Sequence, residues 1–406
     1  MTTAVSLFWI ALSAAVAPLL AAVVPRKLVS EVVLLLLFGM IIGPNVLGLA
    51  QITDGVDLLR EIGLAALFLL AGYEIRLTEL TGRGGRRAFV TWLICFALAI
   101  GCVLALTELA ELRNAQTAIA IALISTALGT LLPMLKNRGL LGTPLGAAVL
   151  NHGAVGELCP VLAMALLLGT RGTLDSILVL VIFGLAALVV AFLAVRLPAG
   201  SGFRQLVTSG ADTTGQTQVR LVVLLLVSFS ALATAFQLDL VLGAFASGFI
   251  LRHVLPAGNA VLDIKLEGLA YGLLIPIFFV VSGMAIDPSA VAAEPLVLLA
   301  FVLLILLVRG VPVYIASRTD RAPGAVGRRF TSRESLVIAL YGATGLPIIV
   351  AVTSVAVANG QMTARHASLL VAGGAITVLL LPMIASLITP RPDRRPEPAD
   401  GEELTL

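Results

Sequence analysis

The sequence predicts an all-α polytopic membrane protein with about thirteen transmembrane helices. Apolar residues make up 59% of the 406-residue chain and charged residues only 12%, whereas a soluble domain carries about 25% charged residues. A helix needs about 20 apolar residues to cross the lipid core, and thirteen runs reach or approach that length. The runs lie near residues 4–24, 29–49, 57–76, 88–109, 115–135, 141–169, 173–196, 219–237, 239–252, 267–286, 291–317, 334–358 and 366–389.

The distribution of Lys and Arg predicts the orientation of these spans. The loops on one side, counted with the C-terminal tail, hold 21 of these residues, and the loops on the other side hold 4. Because cytoplasmic loops collect Lys and Arg, we expect a cytoplasmic C-terminus and an external N-terminus in the cell (inner) membrane. Residues 1–390 then form the transmembrane domain, and residues 391–406 form a polar, disordered cytoplasmic tail.

Two spans contain small and polar residues where a helix would be expected to break. Thirteen spans divide into six, one and six, which predicts two repeats of inverted orientation. Span 5 carries Ser125 and Thr126, and its counterpart, span 12, carries Thr344. Unwound backbone at membrane depth is tolerated where it lines a cavity, so we expect two crossing broken helices whose polar groups bind ions. For either segment alone, ordinary small-residue packing is the alternative.

Glu157 and Arg309 fall inside predicted spans, in span 6 and span 11. A charge at mid-bilayer costs at least ~2.5–3.5 kcal/mol on insertion scales, so each is a candidate functional residue. A buried carboxyl near its titration point holds either a proton or a metal cation, and this competition couples the two fluxes. We expect Glu157 to be that acid and Arg309, which stays charged, to meet and compensate it. One titrating acid beside a permanent charge predicts electroneutral one-for-one exchange; a purely structural Glu157–Arg309 ion pair is the alternative.

Other polar residues complete the set of candidates. Asn151 and His152 precede Glu157 in the same span, and either could line the cation path. His152 could also titrate near physiological pH; the alternative is a buried histidine that is simply hydrogen-bonded. Charged residues at span ends, such as Glu74 and Asp287, are expected to be interfacial anchors.

Five segments, residues 43–48, 70–74, 125–133, 242–248 and 263–287, carry motifs of one family. Together they resemble the Kef-type monovalent cation:proton antiporter family, a group of sodium/hydrogen exchanger-like membrane proteins. The resemblance implies a homodimer that exchanges Na⁺ or K⁺ for H⁺ by alternating access. It also implies a core domain of spans 4–6 and 11–13 that moves against a dimerisation panel of spans 1–3 and 8–10.

Span 6 departs from the pattern of that family. The family usually places an aspartate near the position that Asn151 and His152 occupy here, and no aspartate is present. Glu157 is the nearest acid, so either it has taken over the carboxylate role or the ion chemistry is altered. Arg309 matches the basic residue that the family has in span 11.

Other classes of function are less consistent with the sequence. A cation channel or a sodium-coupled organic solute carrier on the same scaffold are the alternatives, although a carrier needs a roomier polar pocket. No metal-ligand cluster, nucleophile–base set or phosphate loop is evident, so we expect neither an enzyme nor a resident cofactor or metal. The net charge of +3 gives no reason to expect a nucleic-acid partner.

Overall fold

A computed structural model describes residues 2–23, 30–107, 115–169, 173–196, 216–255, 260–320 and 328–389. Within these ranges the chain is helical and has no extended strand, as the sequence predicts. The predicted tail, 391–406, lies outside the described residues.

The helices are labelled in chain order. Those before residue 200 are α1 (Thr3–Val23), α2 (Glu31–Ile42), α3 (Asp54–Glu74), α4 (Leu77–Thr81), α5 (Arg83–Thr107), α6 (Gln116–Leu123), α7 (Leu128–Asn137), α8 (Pro144–Leu167) and α9 (Thr173–Arg196). Those after it are α10 (Thr217–Ala235), α11 (Leu240–Val254), α12 (Ala260–Leu269), α13 (Ile275–Met284), α14 (Pro288–Ala293), α15 (Pro295–Ile305), α16 (Val311–Thr319), α17 (Ser332–Gly342), α18 (Leu346–Ala358) and α19 (Ala364–Ile388).

Many of these helices are suited to a bilayer. In the described residues, 8 helical segments are long and apolar enough to cross a membrane, and three further apolar helices are shorter. The multi-span membrane architecture predicted from composition is therefore confirmed. The helix α3 falls outside this set because its first turns carry several charges, and α6 and α7 because they have only 8 and 10 residues.

One group of helices consists of α1–α3 and α10–α13. Here α11 packs along α3, and α13 packs against α2 and α3. Gly72 on α3 faces the Phe245 carbonyl, and Gly248 on α11 faces the Leu69 carbonyl, so closely that a methyl group at either glycine would collide with backbone. Without a hydrophobic drive between helices in lipid, such backbone contact is a main source of helix association.

A second group contains α5–α8 and α15–α19. The pair α17 and α18 lies at its centre, since 94% of the most apolar stretch of Ser332–Ala358 is buried. These two helices pack against α8, α16 and α19. Between the two groups, α7 contacts α3, and α8 contacts α11.

Both predicted helix breaks are present, and they touch. The first lies between the end of α6 at Leu123 and the start of α7 at Leu128. The second lies between the end of α17 at Gly342 and the start of α18 at Leu346. Ala127 in the first break donates its backbone N–H to the Thr344 carbonyl in the second, at 2.7 Å. One backbone donor and one acceptor freed by the breaks thus satisfy each other, as burial away from water requires.

Two π-helical turns interrupt otherwise regular helices, and each ends two residues before a proline. Ala270–Leu274 precedes Pro276, and Leu306–Gly310 precedes Pro312. Because proline lacks an N–H, it cannot donate to the carbonyl four residues earlier, and the wider turn accommodates that loss locally. Such turns are frequent at functional sites.

Candidate ion-binding site

The site begins with a carbonyl that a proline sets free. Pro160 lies inside α8 and cannot donate to the carbonyl of Gly156. That carbonyl instead accepts the backbone N–H of Thr126, at 2.8 Å, from the break between α6 and α7. A local feature of the sequence thus fixes the first break against α8.

The three predicted hydroxyl residues all lie at the two breaks, and all are buried. Thr126 donates its hydroxyl to the Gly342 carbonyl at the end of α17, with an O–O distance of 2.5 Å. The Ser125 hydroxyl lies 2.9 Å from the Ala122 carbonyl and 3.3 Å from the Gly345 carbonyl. Thr344 donates its hydroxyl to the Tyr341 carbonyl at 2.8 Å. Their oxygens retain lone pairs that can accept further donors.

Arg309 is fully buried and supplies such donors. It projects from the π turn Leu306–Gly310, and its Nε and Nη2 lie 3.2 and 3.0 Å from the Thr126 hydroxyl. Nη2 also donates to the His152 carbonyl at 2.9 Å, and Nε lies 3.3 Å from the Gly342 carbonyl. Neutral oxygens from three segments therefore solvate this charge in place of water.

The expected meeting of Glu157 with Arg309 is wrong in this structure. Both side chains are described, and no nitrogen of Arg309 lies within 4.0 Å of a Glu157 oxygen. The structural ion pair considered as the alternative is therefore also not formed. The physical reason is that oxygens of Thr126, Gly342 and His152 solvate Nε and Nη2 of Arg309 in place of a carboxylate.

Glu157 lies on the other side of the first break, at the beginning of α7. Its side chain is 2% exposed, and its Oε2 accepts the backbone N–H of Leu128 at 3.1 Å. A helix N-terminus carries unpaired N–H groups and a partial positive charge. It can therefore stabilise this carboxylate without cancelling its charge, which leaves the group free to take a proton or a cation.

Asn151 and His152 take different positions. His152 is 7% exposed, its ring Nδ1 has no hydrogen-bond partner among the described residues, and its carbonyl binds Arg309. Asn151 is half-buried, and its amide lies against Gly84 on α5. The structure thus brings His152 into the group around the breaks and does not bring Asn151 there.

A second acid belongs to this region, and its expected role as an interfacial anchor is wrong. Glu74 ends α3, and its Oε2 is enclosed and has no hydrogen-bond partner in the described part of the chain. A methyl group at Gly129, the second residue of α7, would lie 3.7 Å from that oxygen. Because Leu128 binds Glu157 and Gly129 lies beside Glu74, both carboxylates flank the N-terminus of α7.

This geometry, with two touching helix breaks, a buried acid and a buried arginine, prompts comparison with known proteins. A family model described as "Sodium/hydrogen exchanger, transmembrane" matches residues 11–389. The chain belongs to the sodium/hydrogen exchanger family. The resemblance inferred from sequence segments is confirmed, and membership in an exchanger family agrees with a transporter rather than an enzyme.

Individual exchanger relatives are distant in sequence. YjbQ of Bacillus subtilis is 26% identical over 332 residues, which is 75% of this chain and 52% of YjbQ. GerN of Bacillus cereus, named a Na(+)/H(+)-K(+) antiporter, is 24% identical over 317 residues, which is 77% of this chain and 80% of GerN. The chain thus spans about half the length of YjbQ.

The fold has a counterpart among solved structures. The sodium proton antiporter MjNhaP1 from Methanocaldococcus jannaschii superimposes with a TM-score of 0.63 at 18% identity. The match covers 95% of this chain and 100% of MjNhaP1. The chain therefore shares the fold of MjNhaP1 along nearly its whole length.

Proposed function

We propose that this protein is a secondary antiporter that exchanges a monovalent cation, Na⁺ or K⁺, for H⁺. The observation that carries the proposal is the position of Glu157. Its carboxyl is buried at the N-terminus of α7, which the first helix break creates. Such a group holds a proton or a cation in turn. The names of GerN and MjNhaP1 support the same class of transport.

Two bodies are needed to carry the ion across. We take α5–α8 and α15–α19, helices of predicted spans 4–6 and 11–13, as the mobile core, because both breaks, Glu157 and Arg309 belong to this group. The helices α1–α3 and α10–α13, of spans 1–3 and 8–10, form the panel, whose glycine-mediated backbone contacts favour a rigid body. Alternating access then consists of movement of the core against the panel.

The placement of charges on these bodies favours electroneutral exchange. The core carries Glu157 and Arg309, and its net charge is the same when Glu157 holds a proton as when it holds a monovalent cation. Glu74 belongs to α3 in the panel, so its charge does not move with the core. One cation exchanged for one proton therefore transfers no net charge, and Glu74 serves as a second acid near one entrance.

The finer architecture is proposed on the same grounds. Thirteen spans in two inverted repeats are supported by the two breaks, which lie at corresponding positions of the predicted halves. The distribution of 21 against 4 Lys and Arg residues supports an external N-terminus and a cytoplasmic C-terminus in the cell membrane. A homodimer joined through the panel is proposed from the family resemblance.

The proposal is tested by transport in proteoliposomes with a pH-sensitive dye inside. Wild-type protein should move protons when Na⁺ or K⁺ is added, and a protonophore should not inhibit electroneutral exchange. Glu157→Gln keeps the side-chain size and should abolish the exchange. Glu61→Gln, an exposed acid on α3, is the matched control and should retain it.

Other outcomes identify the alternatives. A channel would dissipate a cation gradient but could not use a proton gradient to accumulate the cation. A sodium-coupled solute carrier would show cation flux only when its organic substrate is present. Full exchange activity in Glu157→Gln would show that this acid is not the carrier group.

A further inference from the structure

A group of arginines lies at the inner end of the core, in the orientation proposed above, where three helix ends meet. These are the start of α5, the end of α16 and the start of α17. Asp320, directly after α16, pairs with Arg87 on α5. Arg318 on α16 donates to the Phe330 carbonyl, just before α17, at 2.6 Å. These two contacts hold the three ends together. The arginine cluster consists of Arg83, Arg86, Arg87, Arg318, Arg328, Arg329 and Arg333.

Most of the charge of the arginine cluster is not neutralised by the described residues. The same three helix ends carry two acids, Asp320 and Glu334. Each of these acids already pairs with one arginine, Arg87 or Arg328. Four arginines are exposed and form no ion pair within the described part of the chain. They are Arg83, Arg86, Arg329 and Arg333. Because like charges repel, this excess favours the binding of an anion.

The charges at the start of α5 oppose the usual preference of a helix. Its first turn carries Arg83 and Arg86 and no acid, although a helix N-terminus has a partial positive charge that favours anions. A Cβ at Gly84 would collide with the Asn151 amide, and a Cβ at Gly85 would collide with backbone carbonyls of α4. The two glycines therefore pack inward, while the arginines beside them are exposed. An anion bound here would offset both the arginine charges and the helix dipole.

Exposed apolar side chains adjoin the arginine cluster. On α5, Phe89 and Val90 lie one turn after Arg86 and are 46% and 50% exposed. On α16, Ile315 lies one turn before Arg318 and is 56% exposed. Both helices belong to segments that are long and apolar enough to cross a membrane, so these apolar side chains face acyl chains. The neighbouring arginines therefore lie at the depth of the lipid headgroups.

The panel does not share this excess of positive charge. Apart from the enclosed Glu74, the described inner ends of its helices carry equal numbers of cations and acids. These residues are Arg220, Arg252, Lys265, Glu31, Asp263 and Glu267. Arg252 also lies over the ring of Tyr73, with its Cζ 5.4 Å from the ring centroid. The preference of Lys and Arg for the cytoplasmic side explains cations at this face, but it does not explain their concentration on the core.

We propose that the arginine cluster binds the phosphate groups of anionic phospholipids in the inner leaflet. Guanidinium groups bind phosphate through two parallel hydrogen bonds, and clustered Lys and Arg at the cytoplasmic membrane surface attract anionic lipids. A lipid fits this surface better than a soluble anion, because its acyl chains would contact Phe89 and Val90 while its phosphate binds Arg86. The inference uses the proposed orientation of the chain and does not depend on ion exchange.

The two tryptophans of the chain provide one reporter on each body. Trp92 lies on α5, about 9 Å along the helix from Arg86, and Trp9 lies on α1 of the panel. The full-length Trp9→Phe protein is reconstituted with phosphatidylcholine and either brominated phosphatidylglycerol or brominated phosphatidylcholine. Quenching of Trp92 then gives the binding constant of the anionic lipid relative to the zwitterionic one. We expect a preference for phosphatidylglycerol of about fivefold or more at Trp92, and none at Trp9 in the Trp92→Phe protein.

Substitutions test whether the arginines cause this preference. The double variant Arg83→Gln with Arg86→Gln should lose it, whereas Arg83→Lys with Arg86→Lys should keep most of it, because the charge remains. Arg220→Gln, an exposed cation of the panel, is the control outside the cluster and should keep it fully.

Two results would overturn the proposal. One is equal quenching of Trp92 by the two brominated lipids in protein that retains the arginine cluster, a comparison that needs no substitution in the cluster. The other is a preference that persists in the glutamine variant or in 1 M salt, where the Debye length is about 3 Å. Neither result bears on the proposed antiport, which is measured separately by cation-driven proton movement.

Discussion

The Thr126 hydroxyl lies 3.2 and 3.0 Å from Nε and Nη2 of Arg309. It also donates to the carbonyl of Gly342 at 2.5 Å. One small side chain thus links the first helix break, the end of α17 and a buried cation. Since a hydrogen bond to a charged group contributes about 1.5–3 kcal/mol, Thr126 should matter more than its size suggests.

We therefore expect Thr126→Val to destabilise the protein and to suppress exchange. Valine keeps the shape but leaves the Arg309 nitrogens and the Gly342 carbonyl without their shared partner. The apparent Tm of the protein in detergent is measured by size-exclusion chromatography of heated samples. It should fall by roughly 5 °C.

Thr126→Ser is the matched control, because serine retains the hydroxyl and loses only a methyl group. It should keep measurable exchange and a Tm closer to that of the wild-type protein. Equal Tm values for the valine and serine variants would show that the hydroxyl does not support Arg309.

Arg309→Lys should be destabilising although it conserves the charge. The nitrogens of the guanidinium lie in a fixed plane and contact three segments of the chain. Their partners include the Thr126 hydroxyl and the His152 carbonyl. The ammonium group of lysine is a point charge without that fork geometry. Some of these buried oxygens would then lose their donor, at about 1–3 kcal/mol for each unsatisfied group.

The measurement is again the apparent Tm, with Arg365→Lys as the control, because the Arg365 side chain is 53% exposed and pairs with Glu294 near the surface. We expect a clear loss in Tm for Arg309→Lys and a small change for Arg365→Lys. If the two variants behave alike, the network around Arg309 is not a structural element of the core.

Much of the fold follows from features that the sequence displays directly. Lipid requires internal backbone hydrogen bonds, so long apolar runs had to be helices. The small and polar segments around Thr126 and Thr344 predicted the two breaks, because such residues do not hold a helix together when their backbone has other partners. Glu157 and Arg309 were expected inside the protein, because a charged side chain that faces hydrocarbon is costly, and both are buried.

The partners of these charges could not be read from spacing along the chain. Arg309 was expected to pair with Glu157, but the carbonyl of His152 and the hydroxyl of Thr126 lie nearer in three dimensions. A sequence shows charges plainly and does not show which backbone carbonyls a fold leaves free. Pro160 gave a partial signal, because it implied an unused carbonyl at Gly156, and that carbonyl holds the Thr126 backbone rather than either charge.

Glu74 was misjudged for a related reason. It lies at the end of an apolar run, where a charged residue normally reaches the interface. In the structure, the first turn of α7 lies beside it at Gly129, and its Oε2 is enclosed. The depth of a helix end depends on neighbouring elements, and the short helix α7, which starts inside the protein, could not be placed against α3 from sequence alone.

The close packing of Gly156 gives the last prediction. A Cβ at this position would lie 2.6 Å from the Thr126 hydroxyl oxygen and 2.8 Å from its Cβ, and would also collide with Nη2 of Arg309. Gly156→Ala therefore cannot be accommodated by rotation of one flexible side chain, because Thr126 is fixed by Gly342 and Arg309 is fixed by several oxygens. Overpacking of this kind costs about 1–3 kcal/mol.

Gly101→Ala on α5 is the matched control, because a Cβ there meets no atom within 4 Å and alanine is favoured over glycine in a helix by about 1 kcal/mol. The Tm should therefore fall in Gly156→Ala and hold or rise in Gly101→Ala. Exchange should weaken only in the first variant, since the added methyl group pushes Thr126 and Arg309 apart and displaces the break that leads to Leu128 and Glu157. A Gly156→Ala protein with wild-type Tm and wild-type exchange would contradict the close contact between α8, Thr126 and Arg309.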